Sequence, residues 1–355
     1  MNYRKATIYS RTDATTAKTE SIDLDLTDII SRLQVRFEGI NSTHVPTAHP
    51  AKQISKMEIV DGSDVLFSMN GMETEAMDFY DTDKSRSYEI DYRDNMFTEL
   101  VMNMNFGRRL FDPLLAFDCG RFKNPQLKIT HDKALGGSLP DAAYLTVTAD
   151  VFDEKMPSPM GFLLNKEFNS YTPVASSYKT VDMPDDYLLR KILIKALYST
   201  NTWTDNIDEV RLDENNLKRI PLDSEGFLLL SSILNRHPLY DEIVVFYTLI
   251  GSKTVYVTPC EYPAVSVNQS SSTVAYVAGE RGGGSQVITD TEATLARMLV
   301  KGRIPHGCLP IEFGDQQDLN DWYDITKIKD LNLRLHHASG IGGTVEIVTQ
   351  QLRKY

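Results

Sequence analysis

Two stretches of this chain, FDCGRFKNPQLKITH at residues 117–131 and YDITKIKDLNLRLHH at 323–337, align without a gap. Each opens on an aromatic–aspartate pair, Phe117-Asp118 and Tyr323-Asp324. Each then enters an alternating pattern, Leu127-Lys128-Ile129 and Leu333-Arg334-Leu335, and ends on a histidine, His131 and His337. Period-two alternation puts apolar side chains on one face of a strand and polar ones on the other. A unit that recurs at a long interval with its neighbours in the same order indicates a duplicated plan.

The neighbouring landmarks recur too. Upstream, Met57, Ile59 and Asp61-Gly62 parallel Val210, Leu212 and Asp213, a strand entering an Asp-led turn. Downstream, Gly136-Gly137 and Gly342-Gly343 each precede an alternating strand. Between these lie two segments that read as helices ending in Gly-Arg. One covers Asn95–Asn105, with Met96, Phe97, Leu100, Val101 and Met104 on one face, and stops at Gly107-Arg108. The other starts at a capping box, Thr289-Asp-Thr-Glu292, and runs through Leu295, Met298 and Leu299. It stops at Lys301-Gly302, before Arg303 and Pro305.

Alternation also marks Leu33, Val35 and Phe37, then Leu145 to Val151, Ile192 and Ile194, Val255 and Val257, and Val345 and Ile347. Ile243–Ile250 is a continuous apolar and aromatic run. Many short strands between Gly, Pro, Asn and Asp imply an all-β fold, a sandwich or barrel. Residues 1–28 are polar and read as an extended N-terminal arm, ordered only if something holds it. The first β-domain is assigned to 29–165 and the second to 166–355, with a proline-rich seam over Asp153–Met183. The second copy is much longer between equivalent aspartates, Asp213–Asp324 against Asp61–Asp118. The excess is placed in a loop insertion at about 258–288, whose Gly- and Ser-rich stretch suits an exposed tower; Gly279, Glu280, Arg281 and Gly282 are its candidate outer residues.

Composition narrows the function. Hydrophobic residues make up 41% and charged residues 24%, ordinary for a well-cored protein. No apolar run is long enough for a membrane-spanning helix, and no secretory signal stands at the start. A net charge of −12 argues against binding nucleic acid through the whole surface. The cysteines Cys119, Cys260 and Cys308 are too scattered for a disulfide framework or a zinc site and read as buried thiols. Basic residues cluster only at Arg4, Lys5 and Arg11, candidates for contact with anionic lipid or genome on an inner face.

No catalytic arrangement emerges. Gly279–Ser285 lacks the Gly-Lys-Ser/Thr of a phosphate loop, and Asp61-Gly62-Ser63-Asp64 reads as a hairpin turn rather than a calcium loop. His336 and His337 are adjacent, so on a strand they face opposite ways and cannot share a metal. His131 and His337 occupy equivalent repeat positions, which points to a structural role. There is no Gly-x-Ser-x-Gly elbow and no His-Glu-x-x-His. No enzyme activity, catalytic residue, cofactor or metal is therefore expected.

Two β-domains in tandem, each with a helix before its last strands and one bearing a loop tower, resemble the double jelly-roll major capsid proteins. The likeness is nearest to the coat proteins of tailless, lipid-containing icosahedral bacteriophages. Ile54-Ser-Lys-Met-Glu-Ile-Val-Asp-Gly-Ser-Asp-Val-Leu66 looks like their early strand–turn–strand unit. Phe106-Gly-Arg through Asn124-Pro-Gln-Leu-Lys-Ile-Thr130 looks like the end of their first roll. The resemblance implies two eight-stranded jelly rolls with short helices in the loops. It also implies homotrimeric, pseudo-hexameric capsomers packed against neighbouring capsomers and vertex proteins in an icosahedral virion, over an internal membrane, after synthesis in the host cytoplasm. Two other readings stay open from the residues: a jelly-roll carbohydrate-binding or host-recognition spike, which needs an exposed aromatic platform from Trp203 or Trp322, and a β-sandwich glycoside hydrolase with two facing carboxylates.

Overall fold

The structure, a computed structural model, describes residues 2–199, 201–269, 276–278 and 282–355. The first half contains β1 (Tyr3–Asp13), β2 (Lys18–Asp23), β3 (Ile30–Asn41), β4 (Ile54–Asp61), β5 (Asp64–Met69), helix α1 (Gly71–Thr82), β6 (Ile90–Asp91), β7 (Phe97–Asn105), β8 (Pro125–His131) and β9 (Pro140–Phe152). Its sheets have strand orders β1-β9-β3-β7 and β2-β8-β4-β5. That interleaving of early and late strands is a jelly roll, which leaves few free edges. The core fills the space between the sheets: Leu33, Val35 and Phe37 from β3 meet Leu127 and Ile129 from β8 and Leu145 and Val147 from β9.

The second half repeats the plan with β10 (Gly161–Tyr171), β11 (Tyr178–Asp182), β12 (Leu188–Leu197), α2 (Trp203–Asn206), β13 (Ile207–Glu214), β14 (Arg219–Glu225) and α3 (Gly226–Leu234). After the tower strands come β21 (Cys308–Glu312), β22 (Leu331–His337) and β23 (Thr344–Lys354). The sheet orders are β10-β23-β12-β21 and β11-β22-β13-β14, the same order strand for strand. The equivalence reaches detail. The aromatic of each quoted stretch bridges the start of the same strand, Phe117 to Ile30 and Tyr323 to Leu189. Each of those strands then shifts register just after the bridge, between Ile30 and Arg32 and between Leu189 and Lys191. His131 and His337 both end their strands buried. Strands β5 and β10 join in parallel at Ser68 and Lys166, making one eight-stranded sheet that runs through both rolls.

Between α3 and β21 lies an inserted β region, the segment expected to form the tower: β15 (Tyr240–Tyr247), β16 (Gly251–Tyr256), β17 (Pro259–Gln269), β18 (Tyr276–Ala278), β19 (Ser285–Asp290) and β20 (Leu295–Pro305). It is a β-structured layer with its own core of Val244, Phe246, Val255, Val257, Ile288, Ala296, Met298 and Val300. Roll one contributes Ile90 and Tyr92 to that core, and β6 pairs in parallel with β15.

Several expectations need correction. Asn95–Asn105 is not a helix but largely strand β7, because Leu100, Met102 and Met104 face the core while Val101, Asn103 and Asn105 face out. Its apolar residues satisfy both periods, and pairing with β3 selects the strand. The segment after Thr289 is strand β20, alternating Ala296, Met298 and Val300 inward. The capping-box pattern there is a turn in which Asp290 Oδ1 accepts the Thr291 N–H at 2.7 Å. Gly302-Arg303 therefore lies in the tower, and the counterpart of Phe106-Gly107 after β7 is Phe313-Gly314 after β21. The insertion occupies the whole of 240–305, not 258–288 alone. The rolls divide before Gly161, since β10 belongs to the second roll's sheet, and residues 1–28 hold two strands of the first roll, β1 against β9 and β2 against β8.

Candidate functional site

The polar chemistry of the molecule concentrates on α1, which lies between the first roll, the second roll and the tower base. Asn70-Gly-Met-Glu73 starts the helix with a capping box: Asn70 Oδ1 accepts the Glu73 N–H at 3.0 Å, and Glu73 Oε2 accepts the Asn70 N–H at 2.9 Å. Met72, Ala76, Met77, Phe79 and Tyr80 bury its apolar side in the first core. The remaining side carries four carboxylates, Glu73, Glu75, Asp78 and Asp81, each with its own set of partners.

Asp78 faces its own roll, accepting Asn103 Nδ2 at 2.8 Å and Asn105 Nδ2 at 2.7 Å on β7; burial pushes its carboxyl up to about 6. Asp81 faces the second roll. It accepts Arg190 Nη1 at 2.6 Å, Lys191 Nζ at 3.0 Å and Gln350 Nε2 at 2.9 Å. Burial opposes its charge, but Lys191 and Arg190 hold it below the usual carboxylate range. Glu73 sits beside Glu346, whose Oε2 accepts Lys195 Nζ at 2.5 Å and Asn70 Nδ2 at 3.3 Å. Burial pushes Glu73 well above its ordinary value against the pull of Lys195, and Glu346 adds to the rise. Burial opposes the charge of Glu346 too, but Lys195 holds it below the usual carboxylate range, so the two carboxyls of this pair shift in opposite directions.

Glu75 faces the tower base. It accepts hydrogen bonds from Tyr240 Oη at 2.7 Å, His306 Nε2 at 2.9 Å and the buried Arg86 guanidinium. Burial works against its charge, yet Arg86 and His306 keep it ionised well below the usual range. Arg86 also reaches Tyr240 Oη at 3.2 Å and Thr258 Oγ1 at 3.2 Å. Thr258 donates to Glu242 Oε2 at 2.7 Å and lies 3.1 Å from His49 Nε2. Because His49 Nδ1 accepts the Ala51 N–H, its proton sits on Nε2 and points at Thr258. Burial, with His306 and Arg86 nearby, keeps His49 neutral.

His49, Glu75 and His306 bring ligand-type atoms within 4.8 Å of one another, the one such grouping among the described residues. Arg86 already supplies the cation that Glu75 needs, and both His49 nitrogens are committed to protein groups. The cluster therefore works as a polar pin joining three parts of the fold. Breaking such a buried pair by removing one partner costs far more than its net contribution. Nothing in the reading of the sequence marks these residues, although Asn70–Glu73 carries the signal of the helix that gathers them.

The residues singled out from sequence go elsewhere. Arg4, Lys5 and Arg11 lie along β1 and are not one cluster. Arg4 pairs with Asp28, Lys5 Nζ donates to Gln34 Oε1 at 2.7 Å, and Arg11 pairs with Glu38 at 3.0 Å while covering the Tyr144 ring. Gly279, Glu280 and Arg281 lie outside the described residues. Gly282 is buried rather than exposed: it bridges Glu261, and a Cβ there would collide with the Asn201 carbonyl. Trp203 and Trp322 are both buried, so neither offers a platform for a sugar ring. The three cysteines are free and buried. No helix among the described residues is long and apolar enough to cross a membrane.

No protein-family model matches the chain, and no curated protein matches its sequence. Solved structures do. The major capsid protein of Sulfolobus turreted icosahedral virus aligns with 100% of this chain and 98% of its own at 11% identity, with a TM-score of 0.62. Major capsid protein P2 of bacteriophage PM2 aligns with 99% of this chain and 98% of its own at 12% identity and 0.59. The capsid structure of the PBCV-1 virus aligns with 99% of this chain and 94% of its own at 9% identity and 0.58. The duplicated strand order and these end-to-end superpositions make the chain a double jelly roll of the architecture found in viral major capsid proteins.

Proposed function

We propose that the chain is a major capsid protein that assembles as pseudo-hexameric homotrimers into an icosahedral shell, over an internal membrane, and acts as a structural protein rather than an enzyme. The observation that carries this reading is the strand-for-strand equivalence of the two rolls, end to end with proteins of known capsids. Two equivalent rolls per chain, taken three times, give six similar lobes about a three-fold axis, a tile that fills a hexagonal lattice with three molecules. The tower, inserted in the second roll and joined by β6 of the first, would then stand three times on each capsomer and face outward. The spike reading loses its support because both tryptophans are buried.

The test is assembly. Purified protein should sediment as a trimer at micromolar concentration and appear as pseudo-hexagonal particles by negative-stain electron microscopy. A species that stays monomeric throughout that range, without particles, would count decisively against the capsid reading.

A further inference from the structure

We infer that helix α3, with its acidic rim, docks on the outer face of the β1-β9-β3-β7 sheet in a second copy of this chain, repeating between chains the contact α1 makes within one. The inference rests on the capsid reading and names the surfaces that reading needs.

The argument is the internal equivalence. Helices α1 and α3 follow equivalent strands, and both begin with a glycine pressed against a backbone carbonyl, Gly71 on Ala51 and Gly226 on Ile207. Counting from those glycines, Met72 and Glu73 correspond to Phe227 and Leu228. The first pair is buried, and Glu73 lies against Glu346 of the second roll. The second pair is 61% and 57% exposed. Two adjacent large apolar residues at the first turn of a helix, both open, mark a contact surface rather than a solvated one.

The same count locates the receiving face. From the bridged residues Ile30 and Leu189, Arg32 corresponds to Lys191 and Arg36 to Lys195. The cross-strand partners agree: Arg36 stands opposite Thr146 as Lys195 stands opposite Glu346, and Arg32 opposite Asp150 as Lys191 opposite Gln350. Where α1 covers Lys191 and Lys195, no helix among the described residues covers Arg36 in the same way. A recess of about 840 Å³ opens at the β7 side of this face, walled by Arg32, Gln34 and Val101 from the sheet and by Asp78, Asp81 and Asp83 at the end of α1.

Charge complements shape. Phe227 and Leu228 are framed by Asp208, Glu209, Asp223 and Glu225. On the receiving face Arg11 and Arg36 stand out over Glu38 and Asp150, with Glu99, 33% exposed, beside Arg36. The Arg11 and Arg36 side chains are 46% and 43% exposed, whereas Glu38 is 8% and Asp150 13%. An acidic, apolar-centred knob thus meets a sheet whose most exposed ion-paired side chains are arginines, and head-to-tail repetition of a heterologous contact that closes gives a ring.

The experiment links Leu228→Cys to Thr146→Cys with a short bismaleimide, the native thiols being buried. The double variant should give covalent dimers and trimers on a denaturing gel. Each single variant alone should give none, and a mixture of the two singles should give dimers only. In parallel, Phe227→Asp with Leu228→Asp should raise the trimer's dissociation concentration roughly tenfold or more, with an unchanged far-UV circular dichroism spectrum. If the wild type is trimeric but either readout fails, the docking proposal falls and the capsid reading stands. A wild type that is only monomeric overturns both.

Discussion

The outer face of the same sheet has opposite character in the two rolls. In the second roll Leu193 stands opposite Val348, both fully buried beneath α1. In the first roll the equivalent pair is Gln34 and Thr148, both partly exposed and flanked by arginines. Inward-facing residues at these strands stay apolar in both copies, Leu33 and Val35 matching Ile192 and Ile194. The duplicated plan therefore fixes what faces each core, while the outer faces are free to diverge. The face covered within the chain became apolar with a few paired charges, and the face open in the monomer became polar.

That contrast can be broken most forcefully around α1, the helix that does the covering. Arg86→Ala leaves Glu75 buried beside uncompensated partners and should lower the free energy of unfolding by about 3–5 kcal/mol in urea titrations. Leu193→Ala should cost about 2–5 kcal/mol, whereas Gln34→Ala at the equivalent position should stay within about 0.5 kcal/mol; equal costs would erase the distinction between the faces.

The tower base adds a pH dependence. Glu261 accepts the Trp203 N–H at 2.7 Å, and burial pushes its carboxyl up to about 7. A raised carboxyl stabilises the fold while protonated, so its contribution is full below the ordinary value of 4.5 and is lost as pH rises through about 7. Glu261→Gln should flatten that decline, on the order of 2 kcal/mol between pH 4.5 and 8, in thermal melts across the range. The smallest effect belongs to the open helix: Phe227→Ser should leave monomer stability within about 0.5 kcal/mol while weakening association, measured by sedimentation velocity.

Much of the fold is legible in the sequence because alternation is a local property. The strands at Leu33–Phe37, Leu127–Ile129 and Leu333–Leu335 are stated by their own side chains, and the gap-free match of 117–131 with 323–337 states the duplication. The helices are not. Met96–Met104 and Leu295–Leu299 satisfy helical and extended spacing alike, and only pairing with β3 and with β15 and β17 decides between them. Helix α1 escapes notice because its carboxylates look like a solvated face. The four acids on α1 are core residues only because Lys191 and Lys195 arrive from the second roll while Arg86 and Asn103 fold back from the loop and strand after the helix.

By itself, then, the order of residues determined an all-β chain with one strand plan written twice and extra length in the second copy. Tertiary structure alone decided that the extra length folds into a β layer shared by both rolls, that one helix is sealed inside and its twin left open, and that His49, Glu75 and His306 meet. The reason is range: alternation and turns act between neighbours along the chain, whereas burial of a charge depends on partners that only the folded chain brings together, as Lys191 is brought to Asp81.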